Sequence, residues 1–139
     1  MTGAALLMEC ERREIRLALA GDKLRVDAPT GAVTEELRAA LAREKAAIVA
    51  ALQADAQARA AGLVVLEPGT TYHTAPDRFH EVMVQREGPL WIAWAGRYPP
   101  PHVQGPKDRP SKTWDLYRGP DLARALRAAV RFAEGVSKR

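Results

Sequence analysis

The chain predicts an α+β protein of two small modules, and three observations carry that expectation. Within the first sixty residues the apolar spacing goes from helical to alternating and back again. An alanine-rich stretch follows, from Gln53 to Gly62. Beyond it lie every Trp and Tyr, both Phe, all three His and nine of the ten Pro, a shift in composition that marks a module boundary. Residues 1–60 therefore read as an α-β-β-α-α unit. Residues 61–139 read as a basic, aromatic-rich three-stranded antiparallel sheet packed on a C-terminal helix.

Ala4 to Arg13 is rich in Leu, Met, Ala and Glu, with Leu6, Leu7 and Cys10 at helical spacing, which predicts a short amphipathic helix. Ile15, Leu17 and Leu19 then alternate with Arg16 and Ala18, and after the turn Ala20-Gly21-Asp22-Lys23 the alternation resumes through Leu24 to Asp27. That pattern is a β-hairpin signal. Ala28-Pro29-Thr30-Gly31 breaks regular structure. Thr34 can then cap a helix whose first turn carries Glu35 and Glu36, where acids complement the helix dipole. Leu37, Leu41, Ile48 and Leu52 fall on one face, so the region to about Ala60 is helical, as two helices meeting near Arg43 to Lys45. Gln53 to Gly62 favours helix but offers little bulk for packing, so it reads as a helical linker or a frayed end.

The second module opens with the apolar Leu63 to Leu66, then the turn-like Pro68-Gly69 and a loop through Pro76. His80 to Gln85 and Leu90 to Tyr98 are strand-like and joined at Arg86-Glu87-Gly88-Pro89, a second hairpin. The five prolines between Pro99 and Pro110 dictate a long loop. Thr113 to Tyr117 makes a third strand. Gly119-Pro120-Asp121 starts a helix, with proline in its first turn, that runs to Gly135. Its apolar side is Leu122, Leu126, Ala129, Val130 and Ala133, and Arg124, Arg127 and Arg131 form a basic stripe on another side.

Composition narrows the function classes. No apolar run approaches the roughly 20 residues of a membrane-spanning helix. The N-terminus has no basic leader followed by a long apolar stretch, so a cytoplasmic protein is expected. Cys10 is the only cysteine, which excludes an internal disulfide and cysteine-cluster metal sites. Residues 1–62 hold nine basic and nine acidic side chains, whereas residues 63–139 hold twelve and eight, so the whole net charge of +4 belongs to the second module. That asymmetry points to an anionic partner there, nucleic acid being the commonest, beside the plainer reading of a merely basic surface.

Catalytic patterns are missing. His73 and His80 lie across a proline-containing loop, a spacing that would not converge on one ion, and neighbouring His80 and Glu81 would point to opposite faces of a strand. "GAVTEE" and "QGPKDRPSK" lack the spacing of a nucleotide loop. The expectation is a protein with no enzymatic activity, no metal and no cofactor.

The segment "IRLALAGDKLRVDAP", the loop "TGAV" and the run "TEELRAALAREKAAIVAAL" together resemble the TubC N-terminal docking domain family over about residues 4–54. The resemblance implies an α-β-β-α-α unit whose hairpin edge receives a peptide tail from a protein partner and which can self-associate as a homodimer. By that resemblance Lys23, Arg25 and Asp27 on the second strand are candidates to meet a charged tail. Their plainer reading is the solvated face of a hairpin. The family stands at the front of subunits of nonribosomal peptide and polyketide assembly lines, and similar modules open phage and plasmid proteins.

In the second module, Trp91, Trp94, Tyr98, Trp114 and Tyr117 are interleaved with Arg97, Lys107, Arg109, Lys112 and Arg118, the mixture that single-stranded DNA or RNA binding uses for stacking and phosphate neutralisation. Arg124, Arg127 and Arg131 add the basic stripe of the helix, and Trp91, Trp94 and these cations are the candidate nucleic-acid-binding residues. Trp91 and Trp94 are an odd number apart, so on a regular strand one is core and the other faces away. The function expected is a non-catalytic adaptor that docks a protein, or itself, through the first module and engages nucleic acid through the second, in a mobile-element or replication context. A stand-alone docking subunit of an assembly line is the alternative.

Overall fold

The computed structural model describes residues 2–21, 23–102, 105 and 108–137. Its class is α+β, with the element order α1 (Gly3–Arg12), β1 (Arg16–Ala20), β2 (Lys23–Asp27), α2 (Glu35–Arg43), α3 (Lys45–Ala60), β3 (Val64–Glu67), β4 (Thr71–Thr74), β5 (His80–Glu87), β6 (Leu90–Arg97), β7 (Lys112–Gly119) and α4 (Leu122–Ser137). The chain divides into two compact units, residues 1–56 with 67–70, and residues 57–66 with 71–139.

In the first unit Thr2 caps α1 by accepting the Ala5 N–H at 3.1 Å, and Thr34 caps α2 by accepting the Leu37 N–H at 3.1 Å. Helix α1 ends in a Schellman turn: Ile15 N–H donates to Cys10 C=O at 2.8 Å and Glu14 N–H to Glu11 C=O at 3.1 Å. The turn holds Glu14 at φ +60°, among the described residues the only non-glycine with positive φ. Leu6, Leu7, Cys10, Ile15, Leu37, Leu41 and Ile48 form the buried core, with Leu17, Leu24, Val33 and Leu52 packed around it. Cys10 is 1 % exposed, and burial pushes its thiol above the usual value, as suits an inert apolar side chain.

The β3–β4 turn is anchored within this unit. Asp55, 2 % exposed, accepts the buried Gly69 N–H at 2.7 Å through Oδ1. Gly69 sits at φ +74°, and a Cβ there would lie 2.5 Å from the Ala51 Cβ, so both backbone and space demand glycine. The alanine-rich stretch, expected to be a helical linker or a frayed end, is helical as expected but not frayed: α3 continues to Ala60, with Ala54 and Ala58 buried. Small side chains there permit close approach rather than signalling weak packing.

In the second unit, Leu63 N–H closes α3 on Ala58 C=O at 3.0 Å around Gly62 at φ +90°. The sheet then has five strands in the order β3-β4-β5-β6-β7, not the three read from sequence. The two additional strands come from Val64–Glu67 and Thr71–Thr74, which are four residues each, too short to show an alternating pattern. Strand β5 meets β6 through a two-residue turn, Gly88-Pro89, since Glu87 pairs with Leu90.

Register sorts the side chains of this sheet. Val82, Ala95 and Trp114 form one cross-strand row, and Tyr72, Val84, Ala93 and Tyr117 another, all on the face that packs α4. His73, Met83, Trp94 and Asp115 share a row on the opposite face. Between these rows the pairing slips: Ala93 opposes Tyr117 while Trp94 opposes Asp115, leaving Leu116 as an inserted residue. The bulge puts Trp114 and Tyr117, three residues apart, on one face. Helix α4 buries Ala125, Leu126 and Ala129 against β5, β6 and β7. Asp121 accepts the Arg124 N–H at 3.3 Å, so Pro120 stands one residue before the cap rather than in the first turn, and the helix continues past Gly135 to Ser137. No helix among the described residues is long and apolar enough to cross a membrane.

Candidate docking surface

The first unit's sheet has only two strands, β1 and β2, paired antiparallel with Arg16 opposite Asp27, Ala18 opposite Arg25 and Ala20 opposite Lys23. These six residues form one exposed face. Leu17, Leu19 and Leu24 turn the other way and are partly buried. Among the described residues no helix or strand other than β1 lies closely along β2, whereas β1 also meets α1. The outer edge of β2 thus carries main-chain N–H and C=O groups with no adjoining strand.

At the end of β2, between Val26, the loop that follows and α2, lies an open groove of about 470 Å³. Val26, Ala28, Val33 and Leu41 supply its apolar lining and Arg38 its cation. Val26 is 44 % exposed, an uncommon state for a valine on the core-facing side of a strand. An extended segment added to β2 would place alternate side chains on opposite faces. One set would reach the groove and Arg38. The other set would meet Lys23, Arg25 and Asp27, the residues singled out from sequence. Groove residues Val33 and Arg38 escaped that reading because nothing in their spacing relates a loop residue and an exposed helix residue to a strand edge.

The structure separates the basic and aromatic set of the second unit. Trp91 is 9 % exposed and stacks on Tyr72 with centroids 5.9 Å apart, so it is a core residue rather than a free surface ring. Trp94 is half-buried on the opposite face, where its Nε1 donates to Gln85 Oε1 at 3.3 Å, and Arg118 is exposed on that same face. Arg124 and Arg127 are exposed on α4, the former 3.7 Å from Asp121. Arg109 is exposed in the proline-rich loop, and Lys107 lies outside the described residues. Arg97, Lys112 and Arg131 are exposed too, and Arg97 and Lys112 share a cross-strand row with His80.

His73 and His80 fall on opposite faces of the sheet. His80 Nδ1 lies 2.8 Å from Asp77 Oδ1, which also accepts the N–H groups of Phe79 and His80 at 2.8 Å each. Burial works against the Asp77 carboxylate, but the His80 side chain and these two N–H groups together hold its carboxyl below the ordinary value. The sequence argues against Glu81 as the partner of His80, since neighbours on a strand point to opposite faces, but it does not single out Asp77, whose signal is an Asx turn three residues ahead of the strand. Glu81 instead accepts the Tyr98 hydroxyl at 2.7 Å and lies 3.5 Å from His73. That hydrogen bond, with burial, pushes Tyr98 up to about 12. Among the described residues no group of three His, Cys, Asp or Glu side chains is placed to hold a metal ion.

Comparison with known protein families gives a match, and it lies in the first unit. Residues 4–54 match the TubC N-terminal docking domain family, a span from α1 through both hairpin strands and α2 into α3. No curated protein and no solved structure matches the chain. The matched family is described as a docking domain, so protein–protein docking is the function class the match suggests.

Proposed function

We propose that the protein is a non-catalytic adaptor whose first unit holds an extended segment of a protein partner by strand addition to β2. The single observation that carries this reading is that among the described residues no strand other than β1 joins β2, which contributes Val26 to the groove shared with Val33, Leu41 and Arg38. Strand addition supplies affinity through main-chain hydrogen bonds, and side-chain pockets on alternate positions supply specificity. Among the described residues Lys23 and Arg25 on β2 and Arg38 in the groove outnumber Asp27, which favours a segment bearing carboxylates beside an apolar anchor.

The experiment is selection of short peptides from a random display library on the intact protein. The expected winners alternate apolar and acidic residues and lose at least 10-fold in affinity on Arg38→Glu or Val33→Asp. Winners indifferent to both substitutions would refute the site. A second copy of the chain could present its own β2 to the same edge, and the homodimer would then compete with the peptide. Light scattering with and without peptide separates these outcomes.

The second unit, on this proposal, engages nucleic acid through its exposed cations, joining a protein complex to DNA or RNA in a mobile-element or replication setting. Its net charge and the surface positions of Arg97, Lys112, Arg118, Arg124, Arg127 and Arg131 support that half of the reading. The family match favours a second reading, a stand-alone docking subunit of a peptide or polyketide assembly line. Neighbouring genes decide between them: a primase, helicase or integrase favours the adaptor, and a condensation or ketosynthase gene the assembly line.

A further inference from the structure

At one end of the second unit three rings meet under α4. Trp114 and Phe132 lie 5.1 Å apart at 51°, His80 lies 6.1 Å from Trp114, and His80 lies 6.4 Å from Phe132. They open into a cavity of about 160 Å³ lined by His80, Trp114, Arg131, Phe132, Gly135 and Val136. Ligand pockets usually run to roughly 300–1,000 Å³, so this one suits a single planar ring presented by a longer molecule rather than a whole small molecule.

Its surroundings are cationic. Lys112 Nζ sits 4.8 Å above the Trp114 ring, Arg97 occupies the same cross-strand row as Lys112 and His80, and Arg131 lines the mouth. Among the described residues no carboxylate lines the cavity. The nearby Asp77 is engaged by His80 Nδ1 and two backbone N–H groups, which fix the imidazole against Trp114. Aromatic faces flanked by exposed cations are what one base and its adjoining phosphates require.

We infer that the His80–Trp114–Phe132 cavity takes one base of a single-stranded nucleic acid while Arg131, Lys112 and Arg97 hold the neighbouring phosphates. This deepens the nucleic-acid half of the proposed function and rests on it. It also narrows the stacking role from the aromatic set read in the sequence to Trp114, with Phe132 beside it. A protein partner with acidic residues would satisfy the cations but not use the rings, and the test separates the two.

The test is fluorescence anisotropy of labelled oligo-dT and oligo-rU strands of roughly 12 nucleotides, titrated with the intact protein at two salt concentrations. Trp114→Leu should weaken binding by roughly 10-fold or more, and Trp114→Tyr should restore most of it. The double variant Arg131→Ala with Lys112→Ala should weaken both strands alike and lower the salt slope by roughly 1.4. Phe132→Leu keeps an apolar group beneath the helix, and circular dichroism melts verify that each variant is folded.

Several results would overturn the inference. Salt-sensitive binding that survives the Trp114 and Arg131/Lys112 variants but is lost with Trp94→Leu or Arg124→Ala with Arg127→Ala moves the site elsewhere and leaves the broader nucleic-acid reading standing. No salt-sensitive binding at micromolar protein sinks both. Polyglutamate competing as well as the oligonucleotide would reduce the site to charge alone.

Discussion

Gly69→Ala is the perturbation whose cost can be worked most fully from the structure. Gly69 is at φ +74°, where a side chain costs roughly 1–2 kcal/mol. The new Cβ would stand 2.5 Å from the Ala51 Cβ and 3.1 Å from its Cα, an overlap with a helix backbone that cannot rotate away. Overpacking of that kind costs about 1–3 kcal/mol, giving a total of roughly 2–5 kcal/mol. Far-UV circular dichroism of urea and thermal unfolding is the assay, with an expected loss on the order of 10 °C or more in Tm.

The cause is isolated by a double-mutant cycle. Ala51→Gly alone removes the clashing Cβ at about 1 kcal/mol of helix propensity. In that background Gly69→Ala should lose the conformational part and the milder approach to the residue-51 Cα, but not the 2.5 Å overlap with the Cβ, leaving a coupling of roughly 1–3 kcal/mol. An equal cost in both backgrounds would refute the packing argument. A cost below about 0.5 kcal/mol in the native background would refute the positive-φ argument as well.

Three further outcomes follow from single sites. Glu14→Gly should raise stability by up to about 1 kcal/mol in urea melts, because glycine relieves the left-handed residue at φ +60° that closes α1. Thr34→Ala should cost about 1 kcal/mol in the same assay, since it removes the acceptor of the Leu37 N–H. Tyr98 should ionise at about 12 rather than 10.0 in a ¹³Cζ-tyrosine NMR titration, and Glu81→Gln should lower that value. The folded value is raised, so the Tyr98 contribution to stability is complete below about pH 10 and is lost as pH rises toward 12.

Much of the first unit is legible in the sequence because its signals are local. Thr34 with Glu35 and Glu36 marks a helix start, and the alternation from Ile15 to Asp27 marks a hairpin. The groove is not legible, since it arises only when the loop carrying Val33 and the helix carrying Arg38 fold back beside Val26. In the second unit the expected strands at His80, Leu90 and Thr113 are present, but β3 and β4 are too short to alternate and escaped detection. The inserted Leu116 likewise has no sequence signature, yet it decides that Trp114 and Tyr117 share a face. The alternation of β6 did predict correctly that Trp91 and Trp94 part company, and Trp91 proved to be the core member.

The central claim is that β2 offers a usable edge, and the most direct measurement is isotope-filtered NMR of a selected peptide bound to labelled protein. The account predicts interstrand NOEs between the peptide backbone and residues 23–27, with the peptide's apolar side chain contacting Val26, Val33 and Leu41. NOEs confined to β1 or to the five-stranded sheet, with residues 23–27 unshifted on binding, would contradict it.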